Sequence, residues 1–139
     1  LEVIAGFWTK YLNDLSGKSK KPGKLNSREI EEMMQARNFL LKDLQNAPTI
    51  ERLAKMVGVN ENKLKRNFKL VFDNTIYKYL RDVRLEQARK QIAEQQDVNL
   101  ERIAETIGYF SQSHFSRRFK EKYGVLPKDY AKSIRNQQV

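Results

Sequence analysis

The sequence predicts an all-α fold: two helix-turn-helix subdomains joined by a long linker helix, with an N-terminal helix and linker ahead of them. Three observations predict it. Apolar residues recur at three- and four-residue spacing along most of the chain, the period of a helix buried on one face. Only three prolines interrupt its 139 residues. A short amphipathic run, a glycine and a second amphipathic run then occur in that order twice, 50 residues apart.

Residues 1–16 place Val3, Ile4, Phe7, Trp8, Tyr11, Leu12 and Leu15 at helical spacing. Phe7, Trp8 and Tyr11 read as part of this apolar stripe, buried against a neighbour, rather than as an aromatic ligand site. Gly17 to Asn26 is polar, basic and broken by Pro22 and Gly23, so a mobile linker is expected there. The chain starts at Leu1 without a signal-peptide pattern. Residues 1–26 are therefore expected to be the truncated end of an upstream domain plus a flexible linker, and 27–139 the domain proper.

Asn26 or Ser27 can cap a helix from about Arg28 to Gln45, with Ile30, Met33, Met34, Arg37, Leu40, Leu41 and Leu44 along its stripe. Asn46-Ala47-Pro48 ends it. The first helix-turn-helix is expected at about 49–72. Thr49 opens its first helix, Gly58 makes the turn, and Leu64 and Phe68 form the buried face of the second helix. Setting Leu64 at zero and stepping roughly 100° per residue puts Asn62, Lys65, Arg66 and Lys69 on the opposite side. That helix carries Lys63, Lys65, Arg66 and Lys69, with acids only at its ends, whereas a merely solvated face mixes signs.

Asp73-Asn74 breaks the pattern, and a linker helix follows at about 75–95, with Ile76, Tyr79, Leu80, Val83, Leu85, Ala88 and Ile92 as its apolar positions. At 1.5 Å per residue it spans on the order of 30 Å, close to the roughly 34 Å between successive major-groove openings on one side of B-DNA. The second helix-turn-helix is expected at about 100–123. Asn99 caps its first helix, Gly108 turns the chain, and Ser111 caps a helix buried through Phe115 and Phe119. Ser113, Ser116, Arg117 and Lys120 fall on its other face. Pro127 suits the first turn of a last helix, through Tyr130 to Ile134.

The two copies align residue by residue. Thr49 to Ala54 match Asn99 to Ala104 and Gly58 matches Gly108, each 50 apart; beyond the turn the spacing becomes 51, pairing Leu64 with Phe115, Phe68 with Phe119, Phe72 with Tyr123 and Tyr79 with Tyr130. The second turn thus holds one extra residue. Ala54 and Ala104 stand where two helices approach closely.

Net charge is +10, of which +8 lies in residues 47–139, nineteen Lys/Arg against eleven Asp/Glu. Such clustering favours a polyanionic partner. There is no cysteine and one histidine, His114, so disulfide, thiol and triad chemistry are excluded and metal spacing is lacking. No cofactor is expected, and the chain does not read as an enzyme. No apolar run approaches the roughly 18 residues of a membrane span.

Ile103-Ala104, Gly108-Tyr109, the run Ser113 to Lys120, then Gly124 and Pro127 resemble the AraC/XylS family of bacterial transcription regulators over about Ile30 to Ile134. GVNENKLKRNFK and YLRDVRLEQAR look like the branch with PchR-type regulators of siderophore uptake. The resemblance implies a cytoplasmic, sequence-specific regulator of transcription that inserts two recognition helices into adjacent major-groove segments of double-stranded DNA. It also implies contact with RNA polymerase and an upstream domain that senses an effector, here a ferric siderophore, and forms a homodimer. The family's base-reading positions fall on Asn62, Lys65 and Arg66 and on Gln112, Ser113, His114 and Arg117. Arginine and lysine suit guanine O6/N7, while asparagine and glutamine suit adenine N6/N7. An aromatic often occupies the Asn62 position in related activators, so thymine-methyl contact is exchanged there for polar capacity. Lys63, Lys69, Arg118 and Lys120 suit phosphates. The alternative is a helical protein-docking adaptor with a non-specific basic surface.

Overall fold

A computed structural model describes residues 24–137. The expected N-terminal stripe and most of the linker lie outside the described residues. Among those residues there are seven helices and no strand: α1 (Ser27–Leu41), α2 (Ile50–Val57), α3 (Glu61–Phe72), α4 (Ile76–Glu94), α5 (Leu100–Thr106), α6 (Gln112–Tyr123) and α7 (Pro127–Gln137). They fall into two compact units. The first takes in α1, α2, α3 and α4 up to Arg81; the second takes in the rest of α4 with α5, α6, α7 and the segment Leu44–Asn46.

Side-chain caps set where the helices begin. Asn26 and Glu29 form a reciprocal capping box: the Glu29 N–H donates to Asn26 Oδ1 at 2.8 Å and the Asn26 N–H to Glu29 Oε1 at 3.1 Å. Thr49, Asn60, Asn99 and Ser111 each accept the N–H three residues on. Each cap satisfies a donor with no partner inside its helix, a contribution of about 1 kcal/mol. α1 stops at Leu41, short of the expected Gln45. Beyond it the Leu44 carbonyl accepts from Arg84 Nε and Nη2 at 3.0 and 2.7 Å, a partner from α4 in place of a helical one. α7 runs past Ile134 to Gln137.

In the first unit α1 packs on α2 and α3 around Met33, Ala36, Leu40, Leu53, Ala54, Leu64 and Phe68, all buried. The second unit gathers Leu85, Ala88, Ile92, Ile103, Ala104, Ile107, Phe115 and Phe119 in the same way. Burying each of these large side chains stabilises its unit by roughly 1.5–3 kcal/mol. Both units repeat one aromatic arrangement. Phe68 lies 4.6 Å from Phe72 and 5.4 Å from Tyr79 between ring centres; Phe119 lies 4.7 Å from Tyr123 and 5.9 Å from Tyr130.

The repeat extends one helix further than the aligned turns imply. Gln35-Ala36-Arg37 in α1 recur as Gln87-Ala88-Arg89 in α4, 52 residues on. Ala36 and Ala88 are both 0% exposed, and Met33 and Leu40 match the buried Leu85 and Ile92. Each arginine sits 6.0 Å from the ring that ends the following basic helix, Arg37 over Phe72 and Arg89 over Tyr123. A unit is therefore four helical segments, and α4 serves as the last of one and the first of the next.

Candidate nucleic-acid interface

In each unit a helix follows a turn and presents one face to the core and one to solvent. On α3, Leu64 and Phe68 are 0% exposed. Asn62, Lys65, Arg66 and Lys69 are exposed, and Lys63 is partly so. Around its first turns Asn60, Glu61, Asn62, Lys63, Lys65 and Arg66 line an open recess of about 520 Å³. On α6, Phe115 and Phe119 are 0% exposed, while Gln112, Ser113, Arg117 and Lys120 are exposed and His114 and Arg118 are partly covered. Each unit thus leaves its expected residues exposed or partly exposed on the helix that follows its turn.

The cations on these faces are not equivalent. Lys63 Nζ lies 3.8 Å from Glu29 Oε2 of α1, and Arg118 Nη1 lies 3.1 Å from Glu121 Oε2. Both have a carboxylate within reach. Among the described residues, no carboxylate holds Lys65, Arg66, Lys69, Arg117 or Lys120. His114 is set by packing: its imidazole meets the Tyr109 ring edge-on, at 5.2 Å and 85°. Tyr109 in turn packs on Phe115 at 5.8 Å.

The turn geometry explains the need for glycine. Gly58 and Gly108 have φ of 86° and 100°, the left-handed region. At Gly108 space matters too, since a Cβ would meet the Leu44 carbonyl oxygen and Arg84 Nη2, each at 2.5 Å. The turn after Gly58 reaches its cap at Asn60, and the turn after Gly108 at Ser111, one residue later. Phe110 fills the added position and is wholly exposed.

Behind α6 lies a polar network that residue spacing alone did not single out. Arg89 Nε donates to both oxygens of Glu86, at 3.0 and 3.1 Å, and its Nη1 reaches the Tyr130 hydroxyl at 3.4 Å. The Tyr123 hydroxyl donates to Glu86 Oε2 at 2.6 Å. The Arg89 guanidinium, with Tyr123 assisting, holds the Glu86 carboxyl below its usual range. Burial, then the adjacent Glu86 carboxylate, pushes the Tyr123 phenol well up. Burial also lowers Arg84, which leaves it cationic at its carbonyl. The QAR repeat is the signal that points to Arg89; Arg84 lies outside it.

Two units, each with a capped, basic, solvent-facing helix after a turn, match a known pattern. A family described as helix-turn-helix domain matches residues 53–133, more than half of the chain. The chain belongs to the AraC-type helix-turn-helix family. Among AraC-type relatives, the regulatory protein PchR of Pseudomonas aeruginosa is 32% identical over 80 residues, 58% of this chain but 27% of PchR. The chain thus spans about a quarter of that relative's length. A transcriptional regulator of AraC type from Chromobacterium violaceum shares the fold with a TM-score of 0.69 at 21% identity, covering 78% of this chain and 96% of that one. The DNA-binding domain of AdpA, solved with a target DNA, gives 0.69 at 20% identity, covering 76% of this chain and 95% of AdpA's. These relatives favour a DNA-binding regulator over the docking adaptor.

Among the described residues no three His, Cys, Asp or Glu side chains converge to hold a metal ion. No helix there is long and apolar enough to cross a membrane.

Proposed function

We propose that this chain binds double-stranded DNA sequence-specifically and regulates transcription, with α3 and α6 entering adjacent major-groove segments. The observation that carries the proposal is the exposed cationic face of each helix, backed by a fully buried apolar one. Asn62, Lys65 and Arg66 read bases from α3, and Gln112, Ser113, His114 and Arg117 from α6; donors of these types match purine N7, O6 and N6 edges. Lys63, Lys69, Arg118 and Lys120 hold phosphates and fix register without reading sequence. Residues 27–139 form the DNA-binding domain.

Beyond DNA, the proposal includes RNA polymerase and a homodimer formed through a separate effector-sensing domain, all in the cytoplasm. Likeness to the PchR branch extends it to activation of siderophore-uptake genes by a ferric siderophore.

Selection of bound duplexes from a random-sequence library, followed by footprinting on the winners, tests the core of the proposal. Two protected patches about one helical turn apart are expected. Affinity should fall steeply as salt rises, through counterion release. Recovery of unenriched duplexes, or protection confined to one patch, overturns two-helix reading.

A further inference from the structure

Among the described residues four large apolar side chains are exposed, and of these Phe110 stands apart at 105% relative accessibility, against 67% for the next, Tyr77. A phenylalanine in this position ordinarily has a structural duty. It precedes the helix cap Ser111, where an apolar side chain packs on the fourth helical residue and fixes the entry of the chain. That fourth residue is Phe115, which is 0% exposed and already covered by Tyr109 at 5.8 Å. Phe110 therefore contributes nothing to the entry of α6. The matching turn of the first unit lacks the residue, passing from Gly58 through Val59 to the cap Asn60.

We propose that Phe110 is a specificity-determining residue that packs against a thymine methyl in the major groove, beside the bases approached by Gln112 and Ser113. The inference rests on the DNA-reading function proposed above and deepens it. Recognition helices of this motif meet base edges with their N-terminal residues, and Phe110 immediately precedes that end of α6. The C5 methyl of thymine is the apolar feature on the groove edge, and phenylalanine has no donor or acceptor with which to read another. Arg117 and Lys120, exposed on the same helix, suit a polyanion better than an apolar groove on a protein.

The test uses a duplex selected from a random-sequence library by the wild-type chain, with each thymine under the second unit replaced in turn by deoxyuridine, which lacks only the methyl. At one position the wild type should bind the thymine duplex about fourfold more tightly, the value of one buried methyl. Phe110→Ala should lose a similar factor on the thymine duplex and show no thymine-to-deoxyuridine difference, with an unchanged thermal melt. If Phe110→Ala keeps the wild-type ratio at every position, or no position shows a ratio above one, the inference is overturned. Loss of a protein partner with DNA binding intact overturns it as well. A wild-type chain that fails to prefer selected over random duplex overturns both this inference and DNA reading, a result distinct from the others.

Discussion

Tyr123 donates its phenolic hydrogen to Glu86 at 2.6 Å, and the two matching positions of the first unit hold Phe72 and Met34. Hydroxyl and carboxylate are absent together there. Tyr123→Phe should destabilise the chain by about 1 kcal/mol, the net value of one hydrogen bond. Glu86→Met should cost more, about 1.5–3 kcal/mol, by removing the charged partner of Arg89. Because 39% of the Arg89 side chain is exposed, water limits that loss. The double variant, which recreates the first unit's pair, should cost less than the sum of the two. Urea denaturation of the full set measures the coupling, and strict additivity would rule out the linkage.

The same network makes stability depend on pH at both extremes. A carboxyl held below its ordinary value stabilises the fold above the unfolded pKa, about 4.3 for glutamate, and that stability drains as pH falls through the folded value. A phenol held above its ordinary value stabilises the fold below about pH 10, and the contribution is lost as pH rises toward the folded value. Glu86→Gln should flatten the acid limb of a melting-temperature profile. Tyr123→Phe should reduce the alkaline limb, with a remainder from Tyr79, which burial also raises.

Asp73 ends α3 at φ 54°, where the matching residue of the second unit is Gly124. A side chain in the left-handed region costs about 1–2 kcal/mol, less for aspartate than for most. Asp73→Gly should therefore raise stability by about 0.5–1 kcal/mol. The reverse experiment separates backbone strain from crowding. A Cβ at Gly124 meets nothing within 4 Å, while one at Gly108 meets Leu44 and Arg84 at 2.5 Å. Gly124→Ala should cost about 1–2 kcal/mol, and Gly108→Ala clearly more. Equal losses in thermal melts would mean that the close approach at Gly108 is unimportant.

On DNA, base reading and phosphate holding are separable. Arg66→Ala and Arg117→Ala should each cost about 1–3 kcal/mol on a selected operator and relax preference at one base pair. Lys69→Ala should weaken all sequences by a similar factor and reduce the salt slope by about one. Fluorescence titration against selected and random duplexes distinguishes these outcomes. An arginine variant that weakens both duplexes equally would belong with the phosphate contacts.

Periodicity and caps make most of the fold legible in the sequence. Asn26, Asn99 and Ser111 are short polar residues ahead of apolar runs, and each does cap a helix. The buried face of α6 followed from Phe115 and Phe119 being four apart, and the exposed residues from what remained. Long-range hydrogen bonds were not legible, because nothing local ties Arg84 to a carbonyl 40 residues earlier. The early end of α1 at Leu41 was not legible either, because the apolar stripe continues to Leu44. The ion pairs that occupy Lys63 and Arg118 were equally hidden, since charge counting does not show which carboxylate lies within reach.

Arg84 holding Leu44 has a practical corollary for anyone dissecting the chain. The peptide at residues 44–46 groups with the later unit although it lies within the earlier stretch of sequence, and α4 is divided between the two. No single scission can therefore release either half whole. A fragment ending at Arg81 strands a carbonyl whose guanidinium clasp has been cut away, and one starting at Asp82 keeps the clasp with nothing to hold.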